Sequence, residues 1–238
     1  MESELLDLLK KTIEQFDEIE DTEPSLIAKN SIPIIFSGNV VQYEKSPLKI
    51  VTVALNPSSN EFSSVDHRYK IGRLDSENLF KVCSAYFDVN NVREVSPWFT
   101  NYEKILVSAH ASYFEGRPNR AIHSDMCTPI VTQKKWRDLT GEDRRRLQER
   151  GVPLWKEFIR ILSPDIILIS VAREYRNEIC QKWTEVPISS SLTRLRNIAI
   201  GKLGSSAVVW GNARNTPFMD FNDQEKTKIG ETLRSLSG

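Results

Sequence analysis

Residues 49–62 read KIVTVALNPSSNEF. The run from Ile50 to Leu55 is apolar and rich in β-branched residues, the composition of a strand buried on both faces. Asn56, Pro57, Ser58, Ser59 and Asn60 follow at once, and all are turn formers. A buried strand that stops at a small polar turn places that turn at the carboxyl edge of a sheet, where open α/β sheets bind ligands. Asn56 therefore stands where a side-chain amide can face a substrate. The plainer alternative is a strand exit in which Asn serves only the turn.

Three further stretches share this character. Residues 121–126 (AIHSDM) form a candidate strand with a polar exit through Ser124, Asp125, Thr128 and Pro129. Residues 165–171 (DIILISV) are the clearest buried strand, and residues 207–210 (AVVW) run into the turn Gly211-Asn212-Ala213-Arg214-Asn215-Thr216-Pro217-Phe218. Around them, Leu5, Leu6, Leu9, Ile13 and Phe16 recur at helical spacing. Residues 76–87, 100–114, 153–162, 172–183 and 223–236 also read as helices, with Ser163-Pro164 ending the third of these. Residues 31–43 look like an approach loop. Residues 62–74 read as a loop whose Phe62 and Tyr69 could wall a pocket, and residues 187–203 as an irregular or hairpin segment. The alternation predicts an α/β fold with a mostly parallel sheet covered by helices on both faces. We expect a single domain over residues 1–238, with residues 1–30 as an N-terminal helical extension.

The chain of 238 residues is 39% hydrophobic, enough for a full core. Its apolar runs are too short to cross a bilayer, and its acidic, amphipathic start is unlike a secretory or transit peptide, so a cytoplasmic location is expected. Cys83, Cys127 and Cys180 are odd in number and widely spaced, which argues against a disulfide framework. His67, His110 and His123 lack metal-ligand spacing, so neither a metal nor another cofactor is expected. Net charge is zero, yet between residues 117 and 214 the basic residues outnumber the acidic ones 18 to 10. That imbalance suits a basic face for a polyanion such as DNA. The charged segment 133–150 reads either as a solvated helix face or as a phosphate-contacting patch.

The polar turns at 56–58 and 212–217 carry amides, hydroxyls and backbone N–H groups, which can read the edge of a planar base or orient a water. No nucleophile elbow, phosphate-cradling Gly loop or dinucleotide fingerprint is present. The pair VALNPSSNEF and VVWGNARNTPF, in this order, resembles the two motifs of the uracil-DNA glycosylase superfamily, in its Asn-Pro branches. SDMCTPI and PDIILISVAR sit between them where that fold places its second and third strands, and the resemblance spans about residues 32–218.

The resemblance implies a three-layer α/β/α sandwich around a four-stranded parallel sheet. It implies hydrolysis of the N-glycosidic bond of a flipped base in DNA, by a monomer without metal or cofactor. Asn56 matches the position that holds the attacking water, with Glu61 a second candidate for polarising it. Leu55, Pro57, Ser58, Phe62, Ser124, Asp125, Asn212 and Asn215 are the residues expected around the base, Phe62 as the aromatic beneath it. Lys134, Lys135, Arg194, Arg196 and Arg214 are the expected DNA contacts. No Lys stands in either motif to form a Schiff base, so a monofunctional enzyme is expected. The second motif lacks the family's usual His, and Ala54 replaces the usual first Gly. Relatives with altered pockets include prokaryotic anti-phage glycosylases acting on hypermodified bases such as glucosylated hydroxymethylcytosine. Two other readings stay open: a catalytically silent module binding modified or single-stranded DNA, and a hydrolase of free nucleosides or sugars.

Overall fold

The computed structural model describes residues 1–63, 68–89, 95–188, 196–212 and 216–236. In chain order the elements are helix α1 (Glu2–Thr22), strand β1 (Phe36–Ser37), helix α2 (Val40–Glu44) and strand β2 (Ile50–Ala54). Helices α3 (Ser76–Ser84) and α4 (Thr100–Ser108) follow, then β3 (Ala111–Ser112), β4 (Asn119–Asp125) and the long helix α5 (Gly141–Leu162). The chain continues with β5 (Ile166–Ser170), α6 (Arg173–Arg176), β6 (Thr184–Pro187), β7 (Asn197–Leu203), β8 (Ser206–Gly211) and α7 (Asp223–Ser235). The hydrogen-bonded strand order is β1-β4-β2-β5-β8-β7-β6, with β3 on β4.

Two compact units can be distinguished. One comprises residues 39–53, 87–122 and the chain from 163 onward. Here β2, β5 and β8 are parallel, in the register Val53↔Ile169 and Ile169↔Trp210. β2 and β5 are buried along their whole length, as their unbroken apolar composition requires. β7 pairs antiparallel with β8, and β6 antiparallel with β7. The fold is thus α/β, but the sheet has eight strands and mixed orientation, not the four mostly parallel strands expected. The extra strands escape a hydrophobic reading for physical reasons. β1 and β3 are two residues long, and β6 is largely exposed.

Two clamps fix the carboxyl ends of the parallel strands in this unit. Fully buried Tyr102 on α4 donates its hydroxyl to the Val53 carbonyl at 2.6 Å and accepts from the Ser170 N–H at 3.0 Å. After β8, the Phe218 N–H donates to Ser170 Oγ at 3.0 Å, and Phe218 takes a positive φ of 49°. Its ring packs so closely on Gly211 that a Cβ there would lie 2.2 Å from it, so glycine is required. α4 stops at Ser108 rather than continuing to 114, because His110 adopts φ 57° and turns the chain into β3. α6 likewise spans four residues, not the twelve of 172–183. Beyond it, Trp183 Nε1 donates to the Cys180 carbonyl at 2.8 Å and β6 begins. Residues 187–203, expected to be an irregular or hairpin segment, hold all of β7 but only the last residue of β6, Pro187, which pairs with Asn197.

The other unit comprises residues 1–38, 54–86 and 123–162. β1 pairs antiparallel with the end of β4, Phe36 opposite Ser124; residues 31–43 are therefore not only an approach loop. α1 buries Leu5, Leu8, Leu9, Phe16 and Ile19, one face at helical spacing. α5 is one helix of 22 residues that contains Pro153, whereas the sequence suggests a helix starting there. Its basic residues meet the acidic residues of the first helical segment: Arg150–Glu18 at 2.9 Å, Arg160–Glu4 at 3.1 Å and Arg146–Glu23 at 2.9 Å, with Lys11–Glu157 at 2.9 Å in the reverse sense. The uneven charge along the sequence is thus in part matched within the fold. Each pair is at least partly exposed and so screened, and it aids register more than stability.

α5 also backs the segment that leaves β4. A Cβ at Gly151 would lie 2.3 Å from the Cys127 carbonyl oxygen and 2.5 Å from Thr128 Cα, both backbone atoms that cannot rotate away. Gly151→Ala should therefore destabilise by roughly 1–3 kcal/mol through overpacking, read as a lower urea midpoint. Gly141→Ala, where a Cβ meets nothing within 4 Å, is the control; equal midpoints for the two variants would contradict the close approach.

Candidate active site

The strand β2 ends where its carbonyls lose their ladder partners. Ala54 O accepts from the Met126 N–H and Leu55 O from the Cys127 N–H, both at 2.9 Å. These bonds tie the exit of β2 to the exit of β4. Asn56 follows immediately, half-buried, and its Nδ2 donates to the Pro57 carbonyl at 3.0 Å and to Thr132 Oγ1 at 2.9 Å. Thr132 in turn donates its hydroxyl to the Lys134 carbonyl at 2.7 Å. Both groups facing the Asn56 nitrogen are thus acceptors, which fixes the amide's orientation. Among the described residues no donor meets Asn56 Oδ1, so that oxygen is the part of the amide left to accept from a ligand or a water.

Ser58 Oγ accepts from the Asn60 N–H at 3.2 Å and caps a short 3₁₀ turn over Ser59–Phe62. The turn sets Glu61 and Phe62. Burial raises the proton affinity of Glu61, against a hydrogen bond from Tyr86 and the positive charge of Arg68. Phe62 is buried and stacks on Tyr69 (centroids 5.5 Å apart), which stacks on Tyr86 (4.9 Å). Tyr69 is anchored through a 2.6 Å hydrogen bond between its hydroxyl and Ser37 Oγ. One face of Phe62 is therefore already occupied. Leu55 is half-exposed and Pro57 buried.

At the end of β4, Ser124 Oγ donates to the Ile35 carbonyl at 2.7 Å, so that hydroxyl is committed to the backbone. Asp125 is 6% exposed, and its Oδ1 is buried without a hydrogen-bond partner among the described residues. Its Oδ2 lies 3.8 Å from His123 Nε2, too far for a hydrogen bond. Burial lowers His123 to about 3 and raises Asp125 to about 8, so at neutral pH both are mostly uncharged and the contact is not an ion pair.

Lys134 and Lys135 are exposed, and among the described residues neither has an ion-pair partner. Arg196, in the other unit, is instead held by Glu225 at 2.5 Å, with 24% of its side chain exposed. Asn212 is half-exposed directly after β8. Arg194, Arg214 and Asn215 lie outside the described residues. The sequence pointed to Asn56, Glu61 and Asp125 but passed over Thr132, Tyr86 and Arg68. Thr132 lies 76 residues from Asn56, and no local pattern signals a pairing of that range. Neither protein-family models nor curated proteins match the sequence.

Asp125 gives this region a pH signature. From its ordinary value of 3.8 up to about 8 the folded protein holds this proton more tightly than the unfolded chain. The associated stability is present at low pH and lost as pH rises toward 8. His123 acts in the opposite sense between about 3 and its ordinary 6.5, where stability rises with pH. Above pH 6.5 only the Asp125 contribution of the two still changes. Asp125→Asn should therefore flatten the fall in urea midpoint between pH 6.5 and 8; an unchanged slope would show that Asp125 is already ionised there.

Proposed function

We propose that the chain is a monofunctional DNA glycosylase that hydrolyses the N-glycosidic bond of a flipped, modified base, in a three-layer α/β/α setting and a cytoplasmic location. The observation that carries this reading is the Asn56 amide at the exit of a buried strand, with both nitrogen bonds occupied inside the protein and Oδ1 left as an acceptor. Such an oxygen orients a water. In the reaction the C1′–N bond breaks and its electron pair leaves with the base, while the sugar develops oxocarbenium character. The water oxygen bonds to C1′, and its proton passes to Glu61, whose burial raises its proton affinity. Asp125, largely neutral at pH 7, is the polar group proposed to meet the base. Lys134, whose carbonyl accepts from the Thr132 hydroxyl that holds Asn56, and its neighbour Lys135 are exposed cations suited to the phosphates on either side of an extruded nucleotide.

The resemblance supports a hypermodified cytosine, such as a glucosylated one in phage DNA, as the base, and a role in defence. The lack of a second-motif His makes ordinary uracil the less fitting substrate. The protein would act as a monomer on DNA, without metal or cofactor.

Asn56→Ala should reduce the formation of alkali-labile abasic sites by roughly 100-fold or more, with an unchanged thermal midpoint. Full activity in this variant would remove Asn56 from the mechanism. Replacing Lys134 and Lys135 together by Ala should weaken binding and lower the salt slope of log Kobs by about 2 if both contact phosphates. An unchanged slope would place the DNA elsewhere. Salt-sensitive DNA binding without base release from any substrate would favour the silent binding module instead.

A further inference from the structure

Resting on the reading above, we propose that Thr132 is the positioning residue of the site, fixing which end of the Asn56 amide faces the water. The backbone around it is pinned on both sides. The Ala28 N–H donates to the Val131 carbonyl and the Gln133 N–H to the Leu26 carbonyl, each at 2.8 Å, and Thr132 itself bridges to Ile27. Its side chain is 2% exposed and β-branched, which leaves it little rotamer freedom. The hydroxyl hydrogen goes to Lys134 O at 2.7 Å, so toward Asn56 the Oγ1 atom offers only lone pairs.

Turning the Asn56 amide over would set Oδ1 against Thr132 Oγ1 and the Pro57 carbonyl, two acceptor–acceptor contacts in place of two hydrogen bonds. Without the Thr132 oxygen one of these restraints disappears. Pro57, adjacent in the chain, moves with the same loop and holds the amide less firmly. Nδ2 then competes with Oδ1 for the water position, and a donor there cannot accept a hydrogen bond from the water that attacks C1′. Thr132 never touches substrate in this scheme; it acts through Asn56 alone.

The test compares Thr132→Val, which keeps the shape and removes the oxygen, with Thr132→Ser, which keeps the oxygen. On a DNA whose base the wild-type protein releases, Thr132→Val should lower kcat by roughly 10- to 100-fold, with KM within about twofold of wild type. Thr132→Ser should stay near wild type. Wild-type kcat in Thr132→Val, or a loss carried only by KM, would overturn the proposal. A second arm needs no activity: in ¹⁵N spectra of the full chain, the Asn56 Nδ2 hydrogens should exchange slowly in wild type and Thr132→Ser but rapidly in Thr132→Val. Equal exchange in all three would also overturn it. Should the wild-type protein release no base, the glycosylase reading falls while the exchange arm still decides the role of Thr132.

Discussion

Two backbone hydrogen bonds, Met126 N–H to Ala54 O and Cys127 N–H to Leu55 O, set the geometry on which the candidate site depends. A strand buried on both faces cannot leave its last carbonyls unpaired, since each would lose solvation without gaining a partner. The chain leaving β4 supplies the missing donors. Once it does, the two strand exits are locked together, and the segment that follows Cys127 carries Thr132 to the Asn56 amide. Gly151 on α5 is part of the same constraint, because that segment runs too close to the helix backbone for a side chain.

This origin explains the chemical character of the site. Its polar groups are amides, hydroxyls and acids whose proton affinity burial raises, with few fixed charges. Burial raises the proton affinity of Glu61 and Asp125 and lowers that of His123. In a poorly solvated setting, oriented dipoles interact strongly with charge that develops during a reaction and need little reorganisation. A departing base that gathers negative charge is the kind of group such a setting can serve. The aromatic stack of Phe62, Tyr69 and Tyr86 keeps the wall beside Glu61 apolar.

Much of the fold's centre was legible because β2, β5 and β8 are continuous apolar runs that end in turn formers. Asn56 was legible for the same reason, as the first polar residue after such a run. The sheet's full extent was not, since two-residue strands and the exposed β6 leave no periodic trace. Helix α5 reads as a charged segment followed by a helix starting at Pro153, because a proline normally opens a helix and tertiary packing here overrides that preference. The charge imbalance was visible, but its partial solution was not: several arginines of α5 are matched by acids from the first 23 residues. Side-chain commitments were also hidden. Ser58 caps a turn, Ser124 holds the Ile35 carbonyl and Arg196 is paired with Glu225, while Thr132, absent from any motif, holds the central amide.

The proposed reaction is the cleavage of a base from DNA by a water that Asn56 orients. Its most direct test is to incubate the wild-type protein with a panel of DNAs carrying different modified cytosines and uracils, and to weigh the released products by mass spectrometry. The expected result is an intact free base from at least one modified DNA, with an alkali-labile site left at that position and no covalent protein–DNA adduct after borohydride. Release of no base from any member, or trapping of a borohydride-stable adduct, would contradict it.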